Sequence, residues 1–152
     1  SCNQKIESIT QASVYENKLD IIEYEIPITF EEDFETKYNL DEWTEFKILK
    51  YNILVLANSI SGYNDNDAKY LEDILNKLSN NSREILKSDF DLFVSSPEIK
   101  GRLKLLDIQI QKTKHNLSKI NKSEGLEELN KIFIYYNYLA NMIESKLVDS
   151  IN

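Results

Sequence analysis

Glycine occurs only 3 times and proline twice in 152 residues. Sandwiches and barrels need frequent turn residues, so this scarcity favours long helices. The single cysteine, Cys2, excludes an intrachain disulfide. The single histidine, His115, removes the metal chemistry most often housed between helices. A di-iron site needs Glu-x-x-His pairs on two helices, and the residue three before His115 is Lys112. His115 also falls opposite the apolar stripe of its own segment, where it is expected in solvent. One exposed histidine and one terminal cysteine leave little from which to build a Ser/His/Asp or Cys/His catalytic set. Asp65-Asn66-Asp67 begins like a calcium loop, but the sixth and twelfth positions hold Tyr70 and Asn76 instead of glycine and glutamate. Helix capping suits that triplet better. No apolar stretch approaches the roughly 18 residues of a membrane span. A net charge of −8 opposes general binding to nucleic acid. The expectation is a non-enzymatic chain with no cofactor, no metal and no nucleic-acid partner.

What is present is a globular composition, with 41% hydrophobic and 29% charged residues, enough for one domain with a continuous core. Residues 3–13 are rich in Asn, Gln, Ser and Thr without a clean period. They read as a polar tether, so 1–13 is separated from a single domain over 14–152. A short helix around 14–21 is one option. From Ile22 the pattern alternates strictly, with Ile22, Tyr24, Ile26, Ile28 and Phe30 on one side and Glu23, Glu25, Pro27 and Thr29 on the other. Period two predicts an extended segment. Pro27 makes it a poor central strand and no partner strand is evident, so it is expected as an arm across helices.

Four long helices follow. The first is expected from Asp41 to Gly62, on Trp43, Phe46, Leu49, Ile53, Leu56 and Ile60. The second starts near Asn64–Asp67 and carries Ala68, Leu71, Leu75 and Leu78. Ser79-Asn80-Asn81-Ser82 is expected to break or kink it before Ile85, Leu86, Phe90 and Phe93. The third opens at Ser95-Ser96-Pro97-Glu98, with Ser95 and Glu98 at capping-box spacing, and runs on Ile99, Leu103, Leu106, Ile110, Thr113, Leu117 and Ile120. The fourth follows Asn121-Lys122-Ser123 on Leu126, Leu129, Phe133, Tyr136, Ala140, Ile143 and Leu147. The last two stripes alternate three and four, the spacing of a bundle seam, and short loops favour antiparallel neighbours. The fold class is therefore all-α, an up-down-up-down bundle of four long helices with an extended N-terminal arm.

Charge is unevenly spread. Residues 1–46 hold 12 acidic side chains against Lys5, Lys18 and Lys37, whereas 97–122 hold seven basic side chains against Glu98 and Asp107. Lys100, Lys104, Lys112, Lys119 and Lys122 group opposite the buried stripe, with Ile108 among them. This strip is either a solvated face, one screened by the acidic arm, or a docking strip for an acidic protein or a polyanion. The centres of the first and last helices are apolar nearly all round: Ile48 to Ala57 apart from Lys50 and Asn52, and Ile132 to Leu139 apart from Asn137. Tyr135, Tyr138 and Met142 point away from the main seam, where they suit contact with either the arm or a partner.

Ser1-Cys2 ahead of Asn3-Gln4-Lys5 resembles the processed end of a bacterial lipoprotein, in which a small residue precedes the cysteine that carries the lipid. Cys2 is then the lipidation site, tethering the domain to a membrane it does not span. With the polar tether, the helical body and a bias toward Ile, Asn, Lys and Tyr with only Arg83 and Arg102 as arginines, the chain resembles the small plasmid-encoded outer-surface lipoproteins of the borrelial spirochaetes, of the exported-plasmid-protein kind. Lipoproteins of AT-rich Bacteroidetes share this character. The resemblance implies an outer-membrane, host-facing binding module; the alternative is a periplasm-facing structural, assembly or immunity lipoprotein. It assigns no binding residue.

Overall fold

The computed structural model of the chain describes residues 24–64 and 68–149. Cys2, the 3–13 tether, the optional helix at 14–21, Ile22 and the Asp65-Asn66-Asp67 triplet lie outside the described residues. Among those described, every regular element is helical: α1 (Glu32–Lys37), a 3-10 turn (Leu40–Glu42), α2 (Thr44–Asn64), α3 (Ala68–Ile85), α4 (Asp91–Ser95), α5 (Pro97–Asn116) and α6 (Lys122–Asp149). Four of the helices are long and two are short, so the expected all-α class with four long helices holds.

Several boundaries differ from expectation, each for a local reason. Asp41 and Glu42 belong to the 3-10 turn, and Trp43 leaves helical geometry at ψ 84° before α2 begins. Gly62 does not end α2, which continues to Asn64; one interior glycine costs only about 1 kcal/mol against alanine. α3 runs unbroken through Ser79–Ser82. Ser79 Oγ donates to Gln111 Oε1 at 2.8 Å and Ser82 Oγ donates to Asp107 Oδ1 at 2.6 Å. Neighbouring side chains thus satisfy hydroxyls that would otherwise compete with the backbone. Phe90 and Phe93 sit beyond α3, at the cap and inside α4. The cap of α5 is Ser96, whose Oγ accepts from Ile99 N at 3.4 Å and donates to Glu98 Oε2 at 3.2 Å, while Ser95 ends α4. α6 starts with a reciprocal Asn121–Glu124 cap, in which Glu124 N donates to Asn121 Oδ1 at 2.9 Å and Asn121 Nδ2 donates back to Glu124 Oε1.

The long helices pack in the order α2 on α3, α3 on α5 and α5 on α6, with α6 returning to α2. Cross-contacts run in opposite sequence order within each pair. Trp43 Nε1 donates to Ser88 Oγ at 2.9 Å just past α3, and Asn52 Nδ2 donates to Asn81 Oδ1 at 2.5 Å. Between α5 and α6, Glu98 meets Lys146 at 3.3 Å and Gln109 Nε2 donates to Glu128 Oε2 at 2.9 Å. Between α2 and α6, Phe46 stacks on Tyr136 at 6.4 Å, and a Cβ on Gly125 would lie 2.9 Å from Tyr63 Cζ. Leu103, Leu106, Ile110, Leu117, Phe133, Tyr136 and Ile143 are all buried in the core these helices enclose.

The arm alternation is broken at its centre. Tyr24, Ile28 and Phe30 pack half-buried on the core as expected. Ile26 instead stands 84% exposed and Pro27 is buried. The edge of the chain that carries Ile26 C=O and Ile28 N–H is claimed by Asn137 on α6. Pro27, with no N–H of its own to satisfy, is the residue turned inward.

Candidate functional site

Two surfaces carry the chemistry: the outward face of α5 and the groove where the arm lies on α6. On α5, residues at helical spacing alternate between apolar and basic. Leu105 is 49% and Ile108 62% exposed, Lys104 and Lys112 are exposed beside them, and Gly101 faces open space. Single exposed aliphatic side chains are ordinary on a protein surface, so what distinguishes this face is the placement of Leu105 and Ile108 between Lys104 and Lys112. Lys104 has no ion pair among the described residues, and Lys112 reaches Glu128 only at 3.8 Å. The described part of the arm makes its hydrogen bonds to α6, at Asn130 and Asn137.

The expected basic strip is divided between elements. Lys100, Lys104, Ile108 and Lys112 lie on α5, Lys119 lies in the turn after it, and Lys122 is the first residue of α6. Lys100 is half-buried with its ammonium 5.5 Å from the centre of the Phe93 ring, a cation–π contact. Lys119 Nζ is 3.0 Å from Nε2 of the exposed His115. Lys122 is half-buried. Tyr138 is 45% exposed, its ring 6.0 Å from that of the half-buried Tyr135. Arg102 approaches the Tyr138 ring at 5.5 Å, which ties that aromatic pair to α5.

Glu128 is the anionic pivot behind this face. Burial pushes its carboxyl up, but the Gln109 hydrogen bond and the ammonium groups of Lys131 and Lys112 outweigh that and hold it below the usual carboxylate range. Glu98 is also held low, first by a backbone hydrogen bond at the α5 N-terminus and then by Lys146. Burial and the nearby Glu35 charge raise Tyr136, whose hydroxyl finds no hydrogen-bond partner among the described residues. No group of three or more His, Cys, Asp and Glu converges as a metal site among the described residues. No described helix is long and apolar enough to cross a membrane.

The chain matches no family model, no curated protein and no solved structure.

The second surface is the Tyr138 side of α6, expected to meet the arm or a partner. Asn137 and Asn130 of α6 hold the arm, and an open groove of about 440 Å³ beside it is lined by Ile26, Ile28, Ile134, Asn137, Tyr138 and Asn141. The signal available in the sequence was Asn137 itself, the single polar interruption in an apolar run.

Proposed function

We propose that the chain is a non-enzymatic binding module, lipid-anchored through Cys2 at the bacterial outer surface, that docks an acidic host protein on the outward face of α5. The observation behind this reading is Leu105 and Ile108 standing exposed between Lys104 and Lys112. An apolar centre within a basic frame suits a partner that presents carboxylates around an apolar contact. In this reading the four long helices form an up-down-up-down bundle, supported by the reversed order of their cross-contacts. The bundle serves as a rigid platform for the face. The lipid tether, supported by Ser1-Cys2, would leave the platform free of the membrane.

Reversing Lys104, Lys112 and Lys119 to Glu is expected to abolish salt-sensitive binding to acidic host proteins and to heparin while leaving the helical spectrum unchanged. At physiological ionic strength the screening length is about 8 Å, so binding of the unmodified chain should fall steeply as salt rises. No salt-sensitive binding to either class of anion would overturn the reading. For the anchor, labelling cells with a clickable palmitate analogue should mark the natural chain and spare Cys2→Ala; equal labelling of both, or none of either, would end the lipoprotein claim.

A further inference from the structure

The extended segment ahead of α1 is held by contacts that do not require it to belong to the same molecule. Asn137 Nδ2 donates to Ile26 O at 2.9 Å, Asn137 Oδ1 accepts from Ile28 N at 2.8 Å, and Asn130 Oδ1 accepts from Glu25 N at 2.7 Å. These three bonds go to the backbone of the arm, and a longer one runs from Asn137 Nδ2 to the Glu25 carboxylate at 3.4 Å. The main-chain bonds match strand-addition modes of peptide recognition, where they supply affinity and pockets for side chains supply selectivity. Selectivity here comes from buried Pro27 and from half-buried Tyr24, Ile28 and Phe30.

The segment also has one pivot. α1 buries no side chain fully, and Glu35 meets Lys50 of α2 at 2.7 Å. Asn39 is the only described non-glycine residue with positive φ, at 57°, and the next residue, Leu40, is wholly buried. The body therefore begins at Leu40, and residues 24–38 form a strap joined to it through a single left-handed residue. A strap with one pivot can make the same contacts on a neighbouring copy that it makes on its own.

We infer that the Asn130–Asn137 face of α6 is a binding site for an extended peptide strand, and that the partner it takes in trans is the strap of a second copy of this chain. Exchange needs no contact beyond those described, so the exchanged dimer rises with concentration.

The test uses the full chain carrying Ile28→Ser and Phe30→Ser, which loosen its own strap without altering a fully buried side chain. A fluorescein-labelled peptide of residues 24–38 is added in trans and followed by anisotropy. Saturable binding is expected, weakened at least tenfold by further Asn137→Leu, which approximates the side-chain shape without either hydrogen bond. Absence of binding to the loosened chain overturns the site, and equal binding with Asn137→Leu overturns its reading of the backbone. Exchange is tested separately with Asn39→Pro, which cannot adopt positive φ. This variant should sediment with a larger dimer fraction than the unmodified chain at equal concentration. A helical monomer with exchange-exposed strap amides overturns strap exchange, and the peptide assay decides the site even if that variant fails to fold.

Discussion

At Asn137 one side-chain amide supplies the donor and acceptor that a neighbouring strand would otherwise give the arm. An amide suits this task because its carbonyl and NH2 groups lie in one plane, side by side. Glu128 is the other side chain on which several neighbours depend. It accepts from Gln109 at 2.9 Å and from Lys131 at 3.3 Å, and these partners hold its folded acidity below the ordinary value of 4.5. A carboxyl depressed on folding stabilises above its unfolded pKa, and the contribution is lost as pH falls through the folded value. Glu128→Gln should therefore be less stable than the unmodified chain at pH 7, and the gap in Tm should narrow on acidification below about pH 4.5. Thermal melts across pH 7 to 2.5 check this; a constant gap would show that the charge of Glu128 contributes nothing.

At the scale of the element, the caps decide where helices begin. The Asn121–Glu124 pair opens α6, so Asn121→Ala should cost about 1 kcal/mol, as losing an N-cap side chain generally does, read as a lower midpoint in urea with an unchanged slope. The apolar stripes of α5 and α6 were legible because burial enforces the three–four spacing directly. The continuity of α3 was not, because what satisfies Ser79 and Ser82 is Gln111 and Asp107, 32 and 25 residues further along the chain. The cap of α5 lay one residue from its expected place because Ser95 and Ser96 are chemically equivalent until the loop selects one. The inward turn of Pro27 was illegible for a related reason: the register of the arm is set by Asn137, which period two cannot take into account. The lysines of the basic strip were legible as a cluster, but their division between α5, the turn at Lys119 and the start of α6 depends on where α5 stops.

For the whole molecule, the distribution of charge complements the distribution of shape. Acidic residues are concentrated in the strap and around the turn to α2, whereas exposed ammonium groups lie along α5. Lys50 pairs with Glu35 between α2 and α1, and Lys112 with Glu128 between α5 and α6. An exposed pair such as Lys87 with Glu84 contributes at most about 1 kcal/mol, so apolar burial carries the fold. The charges are left to govern how the molecule meets others. That separation is why reversal of the α5 lysines should change binding without changing helicity.

The bonds from Asn130 and Asn137 to the strap span 105 to 112 residues of sequence, whereas the polar contacts between sequentially adjacent long helices span 48 or fewer. Contacts close in sequence form early, and distant ones wait for loop closure. On the ribosome the strap is made before its seat, which does not exist until 109 residues after Ile28, a delay of about 5–20 s at ordinary rates of translation. A segment synthesised ahead of all four long helices thus waits for the last of them to find its place. In pulse-labelled refolding, the amide of Ile28 should acquire protection after those at the centres of α5 and α6.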